Sequence, residues 1–441
     1  MDVKCLPIVL WRWIATWLRP WDIIQLRWTC HWLRRLEVHR LPHAMRHHTN
    51  PPRDLYINLY KWTLRFQVGL IDIVLPGQLQ ELKIADRFRS RKLEHEAIKS
   101  WAAKLTAPLP SSIIKLKLLS DQRLSVGPEL MPLRELQSFK FRGGDVTWLP
   151  CSLTFLDVSF CDYIAADVLR PLVHLRVLRV TATGITWIPP SVEELDMEYC
   201  DALVEALNAG RASWPANLQI LNICLCTNLQ IALPPVQSLY ITDTYLGPLP
   251  ISLTSLDLDL MDVTMDLIGH LTQLRRLRLN SCNVTWLPPD IEKLYICQCT
   301  GITDIILRPL IRLTNLIAFE TDLSWIPPNV QMLVVNDCDG ITDGMLQTLT
   351  NVTELDIGYT SLSWIPPSVE ILNVTRCSNI TMDIIMGLPR LRELTVDEHV
   401  LRAIPKGLEV LRIDHSQACA ILKSNEHWTQ LKYLRKFKII K

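Results

Sequence analysis

The chain has 441 residues, 49% of them hydrophobic, and 46 Lys and Arg against 45 Asp and Glu leave a formal net charge of +1. So balanced a chain has no global field to draw in nucleic acid or an anionic membrane surface, and its apolar content suffices for a large core. The 13 cysteines are odd in number and form no C-x-x-C pair, which speaks against a disulfide framework or paired-cysteine metal site and for a reducing compartment, the cytoplasm or nucleus.

The first segment, residues 1–40, has a helical period. Leu10, Trp13, Ile14, Trp17 and Leu18 form one apolar stripe, Pro7 suits a first helical turn and Pro20 ends it. A second amphipathic stretch starts at Asp22, a good N-cap, and runs through Ile23, Leu26, Cys30, Leu33 and Leu36, with Arg27, Arg34 and Arg35 opposite. Arg12 and Arg19 interrupt the apolar run and no small-residue cleavage site follows, unlike a secretory signal. The order Leu6, Pro7, Leu10, Ile14, Leu18, Pro20, Asp22, Ile23, Leu26, Cys30, Trp32, Leu36 resembles the F-box pattern, with Val9 and Thr29 as departures from it. That resemblance implies helices whose Leu6, Pro7, Leu10, Ile14, Leu18, Ile23 and Leu26 dock on the Skp-type adaptor of a cullin-RING ubiquitin ligase, the rest of the chain recruiting substrate. The bland alternative is a helical cap on a repeat array.

Residues 41–54 form a basic linker rich in His, Arg and Pro. His43, His47 and His48 lack the companion ligands a metal site needs, so a solvated linker is expected. Irregular strand cores follow over 55–144, at Leu55 to Ile57, Leu82 to Ile84, Leu116 to Leu118 and Phe139 to Phe141, with a charged helical stretch near Arg87 to Lys104.

A regular array then covers 145–416. Its marker, W-I/L-P-P, stands at Trp187, Trp286, Trp325 and Trp364, with WLPC at Trp148 and a degenerate RAIP at Ala403; Trp148 and Trp187 are 39 residues apart, as are Trp286, Trp325, Trp364 and Ala403 in succession. Each unit holds two L-x-Φ cores (Φ aliphatic), and their first leucines, Leu277, Leu294, Leu316, Leu333, Leu355, Leu372 among them, alternate mostly between spacings of 17 and 22. This is leucine-rich-repeat spacing. An L-x-Φ core is a short strand that cannot bury its own face, so the expected fold is α/β, a leucine-rich-repeat solenoid with a curved parallel sheet and a small N-terminal helical F-box-like segment. Residues 417–441 read as a C-terminal cap, with a last strand or cap near Leu431 to Lys441.

Cys161, Cys200, Cys226, Cys299, Cys338 and Cys377 share one repeat position and read as small plugs after each strand. The aligned tryptophans read as packing. Residues 212–242 carry one charge-free run, but Pro215, Pro234 and Pro235 make it buried repeats and not a membrane span. CTGITDIILRPL and CDGITDGMLQTL are similar to the cysteine-containing repeats that follow F-boxes, and LPISLTSLDL and WIPPSVEELDM resemble FNIP repeats. No catalytic motif, cofactor fingerprint or metal-ligand spacing is present, so an enzyme is not expected.

A ligand is expected on the concave sheet, where alternate strand residues are free of packing duty. Tyr295, Ile317, Phe319 and Val334 form an apolar cluster there, and acids such as Asp157, Asp257, Asp259, Asp356 and Asp397 outnumber bases such as Arg278. A protein partner with an apolar anchor and basic flanks follows. Three functions remain: an F-box-type substrate adaptor, a repeat scaffold with a helical cap and no ubiquitin role, and a secreted repeat receptor, which the N-x-T sequons at Asn283, Asn351, Asn373 and Asn379 would suit.

Overall fold

Strand pairing follows the leucine spacing throughout a computed structural model that describes residues 56–58, 61–66, 79–86, 109–242, 247–338, 340–397, 405–414 and 436–440. The F-box-like segment with Leu6, Pro7, Leu10, Ile14, Leu18, Ile23 and Leu26, the basic linker and the charged stretch of 87–104 lie outside the described residues. The chain divides into two compact units, Met1–Ile231 and Ala232–Lys441.

In the first unit β1 (Tyr56–Asn58) and β2 (Lys61–Phe66) form an antiparallel hairpin. Parallel pairing then runs through β3 (Glu81–Asp86), β4 (Lys115–Val126), β5 (Ser138–Val146), β6 (Phe155–Asp157), β8 (Val177–Arg179), β9 (Glu194–Asp196) and β10 (Ile220–Asn222), with β7 (Tyr163–Ile164) on the far end of β5. The hairpin strand β2 escapes a leucine-led pattern because Trp62 stands in register with Leu82 of β3. Strand β4 is 12 residues long, where a three-residue core is expected.

The second unit stacks β11 (Ser238–Thr242), β12 (Ser255–Asp259), β14 (Arg276–Asn280), β16 (Lys293–Cys297), β17 (Asn315–Phe319), β18 (Met332–Asn336), β19 (Glu354–Asp356), β20 (Ile371–Asn373), β21 (Glu393–Asp397), β22 (Val410–Asp414) and β23 (Lys436–Ile440), all parallel. A minor pair, β13 (Asp262–Val263) and β15 (Asn283–Val284), lies beside it. Leu277, Leu294, Leu316, Leu333, Leu355 and Leu372 stand in one row across the sheet, each at most 2% exposed. Burying such a side chain contributes about 2 kcal/mol.

The two spacings have a structural cause. The longer segments each carry a short helix: α1 (Ala166–Leu169), α2 (Asp201–Asn208), α3 (Met265–Ile268), α4 (Asp304–Leu307), α5 (Asp343–Gln347) and α6 (Met382–Met386). The 17-residue segments replace that helix by the W-I/L-P-P turn, whose prolines exclude helix. In the P-x-S-L/V motif the serine hydroxyl clamps the preceding repeat: Ser152 donates to the Leu136 carbonyl at 2.8 Å, Ser252 to Val236 at 2.7 Å and Ser368 to Val352 at 2.6 Å.

After each strand the chain turns through a left-handed residue, as at Phe160 (φ 63°), Tyr199 (56°), Leu260 (57°) and Tyr359 (62°). None of the described non-glycine residues with positive φ is β-branched, as the steric cost of that region demands. The following position holds the cysteine row. Cys200 and Cys377 donate to the Val180 and Ile357 carbonyls at 2.8 and 2.9 Å, and all six cysteines of the row are buried. Burial pushes the Cys161 and Cys226 thiols up to about 12, so they act as hydrogen-bonding plugs rather than nucleophiles.

Candidate functional site

Outward residues of the second unit follow the strand period: β12, β16, β17 and β18 each alternate between half-exposed or exposed and buried positions. Register then sets one row across the face, Asp257, Arg278, Tyr295, Ile317, Val334 and Asp356 on successive strands. Phe319 lies one pleat further along β17, level with Cys297 and Asn336. Tyr295, Ile317, Phe319 and Val334 are thus brought together, each half-buried. The Tyr295 and Phe319 rings meet at 5.7 Å between centroids with a 44° tilt, within the range of favourable aromatic pairs.

The acids divide into two kinds. Asp157 and Asp397, expected on the open face, are 2% and 7% exposed. Each is spent on its own fold: Asp157 pairs with Lys140 and accepts from the Ser159 N–H at 3.2 Å, and Asp397 accepts from the Arg376 N–H. Asp356 accepts from the Asn373 amide at 2.9 Å and the Gly358 N–H at 3.2 Å, and Asp259 from the Asn280 amide at 2.8 Å. The Asp or Asn at the middle of a core accepts the N–H two residues on at Asp196, Asn222 and Asn373 as well. This Asx turn steers the chain into its left-handed residue. Counting acids in the sequence therefore overstates the negative charge free to meet a partner. Asp257 has no such role. Burial pushes its carboxyl up to about 6, against the opposing pull of the Arg278 guanidinium beside it.

A hollow of about 330 Å³ opens next to the cluster, lined by Asp257, Arg276, Arg278, Lys293, Tyr295 and Ile317 among others. The Arg278 guanidinium stacks 4.3 Å over the Tyr295 ring. Arg276 and Lys293 sit one residue before the first leucines of their cores, a position that a pattern beginning at the leucine misses. Extending the same two-residue period backward would have found them. A second hollow, about 480 Å³, lies at the turns entering β16 to β18, between Glu292, Ile311, Arg312 and Asn329, away from the apolar cluster.

The aligned tryptophans Trp148, Trp187, Trp286, Trp325 and Trp364 are half-buried instead of sealed in the core. Arg170 and Arg308, which follow α1 and α4, lie over Trp187 and Trp325 at 5.8 and 5.7 Å. These two indoles tie α1 and α4 to the proline turn of the next repeat. Among the described residues, no group of three or more His, Cys, Asp or Glu is placed to hold a metal ion, and no helix is long and apolar enough to cross a membrane.

No family model matches the sequence, and no curated protein matches it. Among solved structures, the chain is similar to TLR13 in its complex with ssRNA13, with a TM-score of 0.51 at 16% identity, over 82% of this chain and 59% of that one. The fold is a leucine-rich-repeat solenoid. A leucine-rich-repeat protein of Leptospira interrogans matches at TM-score 0.36 and 16% identity over 83% of this chain and 84% of its own. An internalin of Listeria monocytogenes matches at 0.34 and 16% identity over 74% and 87%. Within the solenoid, the candidate site is the open face of β12 to β19, apolar at its centre, cationic toward β14 and acidic at β19.

Proposed function

We propose that the chain is a non-catalytic adaptor in the cytoplasm or nucleus that holds a protein partner on the open sheet face of its second unit. Its first forty residues dock on a Skp-type adaptor, and through it a cullin, so that the bound partner becomes a substrate of the ubiquitin ligase. The observation that carries the first half is the apolar cluster of Tyr295, Ile317, Phe319 and Val334, four large side chains on adjacent strands with no place in the core. Exposed clusters of this kind mark partner sites. Glu354 lies on the next strand and suits a basic residue of the partner. The second half rests on the F-box-like order of residues 6 to 36 in the sequence.

The two halves separate experimentally. Full-length protein, wild type and with Leu10→Asp and Ile14→Asp, is tested for capture of a purified Skp-type adaptor; binding by wild type alone supports the ligase connection. Absence of binding by folded wild type removes ubiquitin from the account and leaves a capped repeat scaffold. Phe319→Ala is expected to weaken partner binding at least tenfold, about 1.4 kcal/mol. Partner binding unchanged in a Tyr295→Ala/Phe319→Ala double variant rejects the placement on this face.

A further inference from the structure

The hollow beside the apolar cluster combines three cations, Arg276, Arg278 and Lys293, with a single acid, Asp257. Arg276 and Lys293 are direct register partners on β14 and β16, and Arg278 follows two residues on, on the same face. Like charges directly opposite on neighbouring strands, about 4.8 Å apart, destabilise a sheet. Among the described residues none of the three has a carboxylate within ion-pairing distance. Elsewhere on the sheet face Arg412 pairs with Glu393 at 2.9 Å in this unit, and Arg179 pairs with Glu194 at 2.9 Å in the first. At β14 the register partners of the arginines are Ser255, Lys293, Asp257 and Tyr295, with Asp257 the one acid among them.

We infer that this hollow takes a carboxylate side chain of the partner, carried on an extended segment that crosses the strands and sets its apolar residue on Ile317 and Val334. The inference rests on the reading of this face as the partner site and adds to it the charge order of the partner segment. Arg278 is already oriented to receive it, because stacking on Tyr295 occupies the face of the guanidinium and leaves its N–H edge free for a bidentate carboxylate. The hollow's own acid, Asp257, lies directly across from Arg278 on β12, so a single acid stands against three cations there.

Distances fix the spacing. From the midpoint of the cation pair to Ile317 and Val334 is one and a half to two and a half strand intervals across and two residues along the strands, about 10–14 Å. An extended chain covers about 3.3–3.6 Å per residue, so the acid stands three to four residues from the apolar anchor. Glu354, one strand past Val334, then faces a basic residue on the anchor's other side. That acid repels a polyanion, which favours a peptide of mixed charge over nucleic acid.

The test is selection of random peptides displayed on phage against the full-length chain, followed by fluorescence anisotropy with one selected peptide made synthetically. The expected result is enrichment of Asp or Glu three to four positions from a Leu, Ile, Phe or Trp. Affinity should fall at least tenfold in Arg276→Glu/Lys293→Glu and less in the milder Arg276→Gln/Lys293→Gln, and should be regained against Arg276→Glu/Lys293→Glu when the peptide's acid is changed to Lys. If binding needs Phe319 but shows no acid preference and ignores the charge reversals, the inference is overturned while the face remains the partner site. Displacement of the peptide by stoichiometric poly-uridine overturns the choice of ligand class. A selection with no binders, or binding insensitive to Phe319→Ala, overturns both.

Discussion

Tyr359 offers a direct test of how this solenoid turns its corners. The residue has φ 62° and is 56% exposed, with Arg376 stacked 5.5 Å from its ring. A non-glycine residue in the left-handed region costs about 1–2 kcal/mol. Replacing Tyr359 by Ala keeps that cost and loses only an exposed ring, so a change of about 0.5 kcal/mol or less is expected. Going on to Gly removes the strain but loosens the unfolded chain by about 0.4–1 kcal/mol, leaving the Gly variant about 0.5–1 kcal/mol more stable than the Ala variant. Val adds a branched Cβ against the carbonyl and should fall about 1 kcal/mol below Ala. Urea unfolding of the three variants at matched slopes measures the order Gly above Ala above Val. A Val variant as stable as Ala, or a Gly variant less stable than it, would show that the corner is not strained and that the absence of β-branched residues there has another origin.

Two predictions concern carboxylates. At Asp343 burial raises the pKa, but hydrogen bonds from Ser363 and Trp364, including both N–H groups at 2.9 and 3.1 Å, outweigh it and hold the carboxyl below its ordinary value. A depressed pKa means stability present above the ordinary carboxylate range and lost as pH falls through it. Asp343→Ala should therefore cost about 1–2 kcal/mol at pH 7 and much less near pH 2, measured by thermal or urea unfolding; an equal loss at both pH values would contradict the assignment. Asp257 behaves oppositely. Its carboxyl, pushed up to about 6, contributes most below pH 4 and progressively less as pH rises through 6, with Tyr240, Asp259, Arg276 and Arg278 as its titratable and charged neighbours. Asp257→Asn should thus be more stable than wild type at pH 8, by about 1 kcal/mol once partial exposure is discounted, with no gain at pH 4. A gain at pH 4 equal to that at pH 8 would assign the effect to packing instead of charge.

How the open face is composed was only partly legible. Tyr295, Ile317, Phe319 and Val334 follow from the two-residue strand period, and the structure gathers them as that period demands. Arg276 and Lys293 obey the same period but precede the leucine that defines a core, so a pattern that starts at the leucine passes over them. The acids show a deeper limit. Asp157, Asp259 and Asp356 look alike in sequence, each in an L-D-Φ or D-L-D context. One is sealed beneath Lys140, one bridges to Asn280 and one closes an Asx turn while gripping Asn373. Which of these happens depends on the residue one strand away, 17 to 21 positions distant, and local patterning carries no information on that partner.

By itself the sequence determined the repeat, the alternation of helical and proline-bearing segments, the inward leucine row and the cysteine plugs, because each is a local choice repeated at a fixed interval. Prolines forbid helix wherever they fall, and an L-x-Φ core has only one way to hide its leucines. Tertiary structure alone decided the length of the strands, the antiparallel hairpin at β1 and β2, and the division at Ile231. It alone decided which face charges find a partner. Those outcomes depend on register between strands far apart in sequence. At β14 and β16 that register sets Arg276 against Lys293 with no acid between them.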